Sequence, residues 1–402
     1  MPTEANIDSL ASPTEMTDLP QAPKGNVLLY LPWKFDMLGG VDVVVDRLWN
    51  GLEKCFPGMA TIGIQDWEFH GDLTDDQGRR FLHLNLPAPP AAKGRLPPRY
   101  LVTLAKRLPI LLRELQKREI ATVNVHFPSL NVYPLALLKR LGLWKGRVVL
   151  SFHGSDVGEI TPTSNAWKTI ADQTDAITAC SAALAQRINE LKLFHQPVQV
   201  VHNGIDIEVF QAEAKKPLWA NLSQKSYLIN VGNFVPTKGQ EIIIKAFSKI
   251  AAEFPEITLV LAGGKDNGVC LDSLQTLVAT LCLQDRVSFI TNVPHNQVAS
   301  LVSGAKAFVH AAHAEAFGLV LIEAGILGVP IVATSVGGTP EVVGSQGALL
   351  YPAGDIDALT ECLRRTLHND TECRERVTQM SVRIGTMFSA QKMTQRYLAS
   401  YQ

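Results

Sequence analysis

Two glutamates in the last quarter of the chain have a spacing and a setting that could hold a sugar and a nucleotide. Glu315 and Glu323 are separated by seven residues, and Phe317-Gly318-Leu319 lies between them, where an apolar strand gives way to an apolar helix. A helix that begins near Gly318 directs free backbone N–H groups and a positive dipole end toward the preceding strand. An anion such as a diphosphate would fit at that helix end.

The two carboxylates have different surroundings, which predicts different roles. Glu315 lies in the loop beside the positive helix end, which keeps it ionised and makes it an acceptor for sugar hydroxyls. Glu323 lies about one and a half turns into the helix among apolar residues, where a carboxylate is costly unless something satisfies it. The two adjacent hydroxyls of a ribose offer that pair of donors. The alternative interpretation is a helix N-terminal charge and a partly solvated glutamate.

Three other positions carry residues that could bind a ligand. Gly39-Gly40 follows a first buried strand at 27–32 and opens a helix, so that backbone could approach a phosphate or sugar closely, although such a pair is often only a flexible turn. His153 follows the strand at 147–152 and begins His-Gly-Ser-Asp. Lys238 stands in a loop as a flexible point charge that could reach a phosphate. Three further histidines end or follow strands, namely His126, His310 and His313.

The segment 308–343 resembles the E-x7-E signature of the retaining glycosyltransferases of family 4, and its GGTPEVV portion is similar to that family too. HGSD after VVLSF, a strand-serine-helix element at Ser181 and the NGID tetrad that begins at Asn203 are further similarities. The resemblance covers nearly everything after an N-terminal tail. It implies an α/β protein of GT-B architecture, in which two Rossmann-like, doubly wound parallel-sheet domains face a central cleft.

The resemblance also implies roles for residues. In the family, the first glutamate of the signature contacts the donor sugar, the second contacts the ribose, and the backbone between them binds phosphate. Those roles fall here on Glu315, Glu323 and the segment Phe317 to Leu319. The family's histidine at the position of His153 lies by the donor sugar, and a glycine loop like Gly39-Gly40 lies between diphosphate and acceptor.

In the donor-side domain the resemblance assigns Lys238 to the diphosphate and the backbone of Asn292-Val293-Pro294 to the nucleobase. The family usually has an arginine directly after the glycine that corresponds to Gly232, whereas this chain has Asn233. One cation of the phosphate clamp is therefore missing. The predicted catalytic residues are Glu315, His153 and Lys238, and no metal or cofactor is expected besides the nucleotide-sugar donor. The residues predicted to bind the donor are Gly39, Gly40, Gly232, Asn233, Lys238, Val293, Glu315, Phe317, Gly318, Leu319 and Glu323.

Composition narrows the class of protein. The 402 residues are enough for two domains, and 46% hydrophobic and 19% charged residues describe an ordinary globular chain. The formal net charge of −1 argues against a general nucleic-acid binder. The six cysteines include no C-x-x-C pair, which favours reduced thiols in the cytosol. Residues 1–24 are polar, which predicts a disordered tail that is neither a signal peptide nor an anchor.

Alternating apolar runs and helix-like stretches predict βα units and parallel sheets. We expect an acceptor-side domain at 25–210 whose last strand is 198–210, and a nucleotide-sugar domain at 227–385. A linker at 211–226 would join them. After Pro352 we expect two helical stretches, with a terminal helix at 386–402 that crosses back to the first domain.

The segment 93–119 is locally basic, with Glu114 and Glu119 as its acidic residues. Its leucines recur at helical spacing, and Pro109 is expected to kink or break the helix. One interpretation is an ordinary helix with a solvated cationic face. The other is a surface that meets anionic lipid or a lipid-diphosphate acceptor. The basic residues are Lys93, Arg95, Arg99, Lys106, Arg107, Arg113, Lys117 and Arg118.

The sequence thus predicts a cytoplasmic retaining glycosyltransferase of the hexosyltransferase type, with peripheral contact at the inner face of the membrane. It would move a sugar from a nucleotide sugar to a glycan or lipid-linked acceptor, in polysaccharide or glycolipid synthesis. Two alternatives are an isomerase or phosphorylase of the same architecture and a non-catalytic nucleotide-sugar-binding protein. The donor sugar, nucleobase, acceptor, linkage and oligomeric state stay open.

Overall fold

A computed structural model gives the structure of residues 21–36, 39–68, 71–90, 96–216, 222, 225–264 and 268–402. This part of the chain forms two helix-flanked sheets, one of eight strands and one of six. The two parallel α/β domains confirm the predicted fold class. Most of the predicted tail, and Lys93 and Arg95 of the basic segment, lie outside the described residues.

The first domain is a doubly wound sheet in the order β3-β4-β2-β1-β5-β6-β7-β8. Its neighbouring strands pair in parallel, except that β3 is antiparallel to β4 at the edge. The strands are β1 (Asn26–Leu31), β2 (Ala60–Gln65), β3 (Gly71–Thr74), β4 (Arg80–Leu84), β5 (Ile120–His126), β6 (Arg147–Phe152), β7 (Ala176–Ala179) and β8 (Val198–Val200). The helices are α1 (Gly40–Cys55), α2 (Pro98–Lys117), α3 (Tyr133–Arg140), α4 (Asn165–Gln173) and α5 (Ala182–Glu190).

The second domain is an all-parallel sheet in the order β11-β10-β9-β12-β13-β14. Its strands are β9 (Ser226–Val231), β10 (Ile257–Gly263), β11 (Val287–Thr291), β12 (Ala307–His310), β13 (Ile331–Thr334) and β14 (Leu349–Tyr351). After the connecting helix α6 (Ile207–Ala214), the helices are α7 (Gln240–Ile250), α8 (Val269–Thr280), α9 (His295–Ser303), α10 (Leu319–Ile326), α11 (Thr339–Val343), α12 (Ile356–His368), α13 (Asp370–Met387) and α14 (Ala390–Ser400).

Strand order explains where a ligand can bind. In each sheet the chain first winds one way and then the other, so that the order reverses between β1 and β5 and between β9 and β12. Open α/β sheets bind ligands at such switch points, beyond the carboxyl ends of the strands. His126 ends β5 and His310 ends β12. These two histidines therefore lie at the switch points of their sheets.

The chain crosses between the domains twice, near residue 205 and near residue 389, and the two crossings are hydrogen-bonded to each other. Ile205 donates its backbone N–H to Phe388 O over 2.8 Å and accepts from Ala390 N over 2.9 Å. Beyond this crossing, α14 packs on the first domain, where Tyr397, Leu398 and Tyr401 are buried in the cluster that also holds β1 and α1 side chains. The Tyr401 hydroxyl accepts a hydrogen bond from the Asn124 amide of β5 over 2.7 Å.

The structure corrects two local expectations from the sequence and decides part of a third. The predicted strand at 198–210 is a three-residue strand followed by α6, whose first turn is capped by the Asp206 carboxylate over 3.3 Å, so helix extends into the predicted linker. Of the two effects expected of Pro109, a kink or a break, the break is excluded, because α2 runs without interruption from Pro98 to Lys117. Pro109 and Ala105 are both exposed, so water can satisfy the carbonyl that loses its amide partner. After Pro352 there are three helices, because Asn369 caps a new one by accepting from Glu372 N over 3.1 Å.

Candidate active site

A cavity of about 310 Å³ lies between the two domains, at the carboxyl ends of their strands. The twelve residues named above as catalytic or donor-binding line this one cavity, whereas Pro294 of the predicted base-binding loop does not. Their placement gives the predicted roles a common site, and the roles themselves stay predictions. The twelve are Gly39, Gly40, His153, Gly232, Asn233, Lys238, Val293, Glu315, Phe317, Gly318, Leu319 and Glu323.

Helix α10 forms the floor of the cavity on the donor side. Gly318 precedes its first residue with φ of 93°, a left-handed conformation that glycine adopts without strain. The loop before α10 passes so close to residue 337 that only glycine fits there. A Cβ at Gly337 would lie 1.9 Å from the carbonyl oxygen of Glu315. Gly338 N also donates to that same carbonyl over 3.0 Å. These close contacts fix the loop that aims the first turn of α10 into the cleft.

Glu315 is paired with a cation inside the cavity. Its Oε2 lies 2.8 Å from Lys238 Nζ and 3.4 Å from His310 Nε2. Phe317 N donates to its Oε1 over 3.4 Å. Burial raises the pKa of this carboxyl, but the charges of Lys238 and His310 and their hydrogen bonds outweigh burial and hold the pKa of Glu315 well below its usual range. Glu315 is thus an ionised acceptor and a poor base.

The wall that faces α10 comes from the first domain. A Cβ at Gly40 would lie 3.4 Å from Leu319 Cδ1, so the start of α1 packs close to the start of α10. One helical turn can approach another here because glycine has no side chain. Behind it, Asp42 accepts from Trp33 Nε1 over 2.8 Å and from Asp36 N over 3.3 Å, which ties Trp33 and Asp36 to the first turn of α1.

His153 is held in the cavity wall by two contacts. Asp156 accepts from His153 N over 2.8 Å and from Gly154 N over 2.7 Å, so it fixes the turn and does not cap the next helix. His126 Nδ1 lies 3.0 Å from His153 Nε2. Burial lowers the pKa of His153 to about 4, and burial together with the charge of His153 lowers the pKa of His126 well below 6.5. Both rings are therefore neutral at pH 7.

Glu323 lies deeper along α10 and pairs with the other domain. It is 4% exposed, and its Oε1 accepts from Arg47 Nη2 of α1 over 3.0 Å. Arg47 Nη1 donates to Gly204 O over 3.0 Å. The predicted ribose acceptor is therefore already satisfied on one side by a guanidinium.

The part of the cavity around Lys238 and Asn233, which is predicted to hold phosphate, has fewer cationic side chains than the family usually has. Among the described lining residues, Lys238 is the one lysine or arginine, and its side chain is one third exposed. Asn233 is exposed at the position of the family arginine. Within the described ranges, no cluster of three or more His, Cys, Asp or Glu side chains is arranged as a metal site.

The structure adds residues that sequence reasoning missed. Asn203 and Asn230 line the cavity, and each has a buried Oδ1 that accepts no hydrogen bond from the described part of the chain. Asn203 belongs to the NGID tetrad, a signal that was noticed without a role. Arg47 carries no signal in the sequence, because it looks like a surface residue of an amphipathic helix.

The fold and this cleft define the class of protein, which is the GT-B type of glycosyltransferase. Residues 38–209 match the family described as Glycosyltransferase Family 4, and residues 212–381 match Glycosyl transferases group 1. Together the two matches span most of the chain. The protein belongs to the GT-B glycosyltransferases of the family 4 kind.

Two named relatives are similar over parts of the chain. An N-acetyl-alpha-D-glucosaminyl L-malate synthase of Bacillus anthracis is 28% identical over 295 residues, which cover 71% of this chain and 75% of the relative. A D-inositol 3-phosphate glycosyltransferase of Mycolicibacterium smegmatis is 30% identical over 207 residues. That second alignment covers 49% of this chain and 47% of the relative, or about half of each.

Solved structures share the fold. Anabaena HepE in complex with UDP and glucose superposes with a TM-score of 0.74 at 17% identity, over 93% of this chain and 98% of that one. Sucrose-phosphate synthase of Thermosynechococcus elongatus gives 0.72 at 20% identity, over 92% and 96%. At such identities the likeness concerns the fold alone.

No helix in the described part of the chain combines the length and the apolar character that a membrane crossing requires.

Proposed function

We propose that the protein transfers a sugar from a nucleoside-diphosphate sugar to a hydroxyl acceptor, with retention of anomeric configuration. The observation that supports this proposal most is the order of polar groups along α10 and the loop that precedes it. Glu315, the first turn of α10 and Glu323 line one cavity, with Lys238 beside Glu315. That order fits sugar, diphosphate and ribose in turn, and Val293 lines the same cavity for the base.

The charges support a division of work between Glu315 and Lys238. An ionised Glu315 accepts hydrogen bonds from sugar hydroxyls. Lys238 has three donor hydrogens, so it can keep its bond to Glu315 and still donate to a phosphate oxygen. The N–H groups of the first turn of α10 add donors that need no reorganisation.

The proposed chemistry is a front-face displacement. The bond from the anomeric carbon to the diphosphate oxygen breaks, and the acceptor oxygen bonds to that carbon on the same face. The acceptor's proton passes to the departing phosphate oxygen, whose charge is stabilised by Lys238 and the α10 N–H groups. Double displacement would need a carboxylate nucleophile beneath the sugar. Glu315, held by Lys238 and His310, is better suited to bind than to attack.

The names of relatives suggest which substrates to try first. Uridine diphosphate sugars come first among donors, since HepE was solved with UDP and glucose. The acceptor panel begins with L-malate and D-inositol 3-phosphate and continues with glycan and lipid-linked acceptors. We place the reaction in the cytoplasm and expect a chelator to leave it unchanged.

Contact with an anionic membrane through α2 is part of the proposal. Leu101 and Val102 are 48% and 57% exposed. Four cations of the same helix are exposed with them, namely Arg99, Lys106, Arg113 and Lys117. Exposed apolar side chains flanked by cations suit the interface of an anionic lipid surface. Arg118, by contrast, is neutralised by Asp72 and Glu114.

Nucleotide binding provides the first test. The product nucleoside diphosphate should stabilise the fold by about 2.7 kcal/mol at a hundredfold excess over its dissociation constant. Lys238→Ala should weaken this effect, whereas Lys306→Ala, at an exposed position outside the cavity, should not. If UDP, GDP and ADP all leave the melting temperature unchanged, the proposal fails. Stabilisation without turnover of any donor would instead favour the non-catalytic binder.

A further inference from the structure

One guanidinium ties together three parts of the molecule at the deep end of the cavity. Arg47 of α1 donates to Glu323 of α10 over 3.0 Å and to the Gly204 carbonyl, in the segment that connects the domains, over 3.0 Å. Arg47 and Glu323 have 9% and 5% of their side chains exposed. Arg47 does not itself line the cavity, whereas Glu323 does.

Because Glu323 is buried, its ionised form depends on the ion pair with Arg47. An ionised carboxylate without a partner is strongly disfavoured among apolar side chains, where it takes up a proton instead. Residues around it on α10 are buried and apolar, including Ile322, Ala324 and Ile326. Arg47 therefore stabilises the ionised form of Glu323, in which both oxygens are acceptors.

The same end of the cavity presents a second acceptor. Asn203 is 5% exposed, lies next to Gly204 in the chain and lines the cavity. Its Oδ1 accepts no hydrogen bond from the residues that the structure describes. A buried acceptor of this kind is costly unless a ligand or water donates to it. Two acceptors at one end of a cavity suit a ligand with adjacent hydroxyls.

We propose that Arg47 is a positioning residue for ribose recognition: it holds Glu323 ionised and oriented so that the carboxylate accepts from the vicinal hydroxyls of the nucleotide. The inference rests on the proposed function and goes beyond it, because it assigns the discrimination of ribose from deoxyribose to a residue of the acceptor-side domain. Since Arg47 is also bonded to the connecting segment, the ribose site is complete only while α1 packs against α10.

The test compares the affinity of the protein for UDP with its affinity for 2′-deoxy-UDP. In the wild type, loss of a hydroxyl that donates to a carboxylate should weaken binding about tenfold or more. Arg47→Met keeps the approximate volume of the side chain and removes its charge. In this variant the ratio of the affinity for UDP to the affinity for 2′-deoxy-UDP should fall toward one, because UDP binds more weakly. Arg47→Lys should restore most of the ratio.

A matched control separates this role from a merely structural one. Arg79 is also 9% exposed and pairs with Asp46 and Asp75, away from the cavity. Arg79→Met should lower stability and leave the ratio of affinities at the wild-type value. If Arg47→Met keeps the wild-type ratio, the proposal is wrong.

If Arg47→Met alone does not fold, the same substitution can be tested in the Glu323→Gln variant. Removing both charges of a buried pair is tolerated better than removing one. In the Glu323→Gln background, adding Arg47→Met should therefore leave UDP affinity unchanged. A further loss would mean that Arg47 contacts the nucleotide directly, which contradicts the proposal. Equal wild-type affinity for both nucleotides would overturn this inference alone, whereas binding of no nucleoside diphosphate would overturn the proposed function with it.

Discussion

At the scale of single residues, the chemistry depends on how Glu315 is held. A carboxylate near an anomeric carbon could act as a nucleophile, a base or a hydroxyl acceptor. The charges and hydrogen bonds of Lys238 and His310 outweigh burial and lower the pKa of Glu315, which weakens it as a nucleophile and as a base. Acceptance of sugar hydroxyls is the role that these contacts leave intact.

Glu315→Gln should preserve the geometry and lose part of the rate. The amide still fits the loop, but hydrogen bonds to a charged acceptor are replaced by neutral ones, which we expect to lower kcat about tenfold to a hundredfold. Steady-state kinetics would measure this change, while UDP affinity stays near wild type. Glu323→Ala should show the reverse pattern, with weaker nucleotide binding as its main effect. A covalent glycosyl adduct on Glu315, detected by mass spectrometry, would overturn the front-face mechanism.

The buried histidine His153 predicts a pH dependence of stability. Its pKa falls from 6.5 to about 4 on folding, so the unfolded chain binds a proton between these values and the folded chain does not. Its stabilising contribution is present above pH 6.5 and is lost as the pH falls toward 4, by up to about 1.4 kcal/mol per pH unit. Urea unfolding at pH 7, 6 and 5 would show the decline. His153→Gln should make it shallower, and an equal slope in both proteins would contradict the account.

At the scale of elements, strands and helices were predictable where one local signal dominates. Apolar runs marked the central strands of both sheets, and the Ser181 cap marked the start of α5, where its hydroxyl accepts from Leu184 N over 3.2 Å. The segment at 198–210 misled because its apolar residues suit a strand, while Asp206 begins a helix. Pro109 does not interrupt α2, since helix tolerance of a proline depends on the burial of the freed carbonyl, and burial is a tertiary property that the sequence does not show.

Long-range contacts explain what local patterns could not reveal about the site. Residue chemistry and local setting pointed to Glu315, Glu323, His153 and Lys238, and the family resemblance then supplied the remaining site residues and all the specific roles. Arg47 and Glu323 are 276 positions apart, so their pairing is visible only once both domains are in place. The sequence analysis assigned Lys238 to the diphosphate and Glu315 to the sugar, so it did not predict that the two side chains pair with each other. Their ion pair is visible only in the folded cleft.

Helix α2 should bind anionic membranes in a salt-dependent manner. Its exposed cations attract anionic lipid, and screening by salt weakens that attraction. Sedimentation with vesicles that contain anionic lipid should recover more protein at low than at high salt. Charge reversal by Lys106→Glu with Arg113→Glu should abolish recovery, whereas Lys225→Glu with Arg374→Glu, at exposed positions outside α2, should not. Equal recovery with neutral and anionic vesicles would leave a solvated cationic helix as the interpretation.

At the scale of the whole molecule, the two switch points face each other across a cavity that neither domain could form alone. The donor-side domain supplies Lys238, Glu315 and Glu323, and the other domain supplies His153 and the Gly39-Gly40 wall. The paired crossing at Ile205 and Ala390, with α14 packed on the first domain, holds the halves in this arrangement. On the proposed function, both domains are therefore needed for donor binding and for transfer.

The configuration of the product tests the central claim most directly. The protein is incubated with a nucleoside-diphosphate sugar that stabilises it and with an acceptor from the panel defined above. The anomeric configuration of the isolated glycoside is then determined by NMR, against that of the donor. The account predicts that the wild type gives a product with the same anomeric configuration as the donor. The double variant Lys238→Ala with Glu315→Gln should give no product. An inverted product would contradict the retaining mechanism and the assignment of the cleft to it.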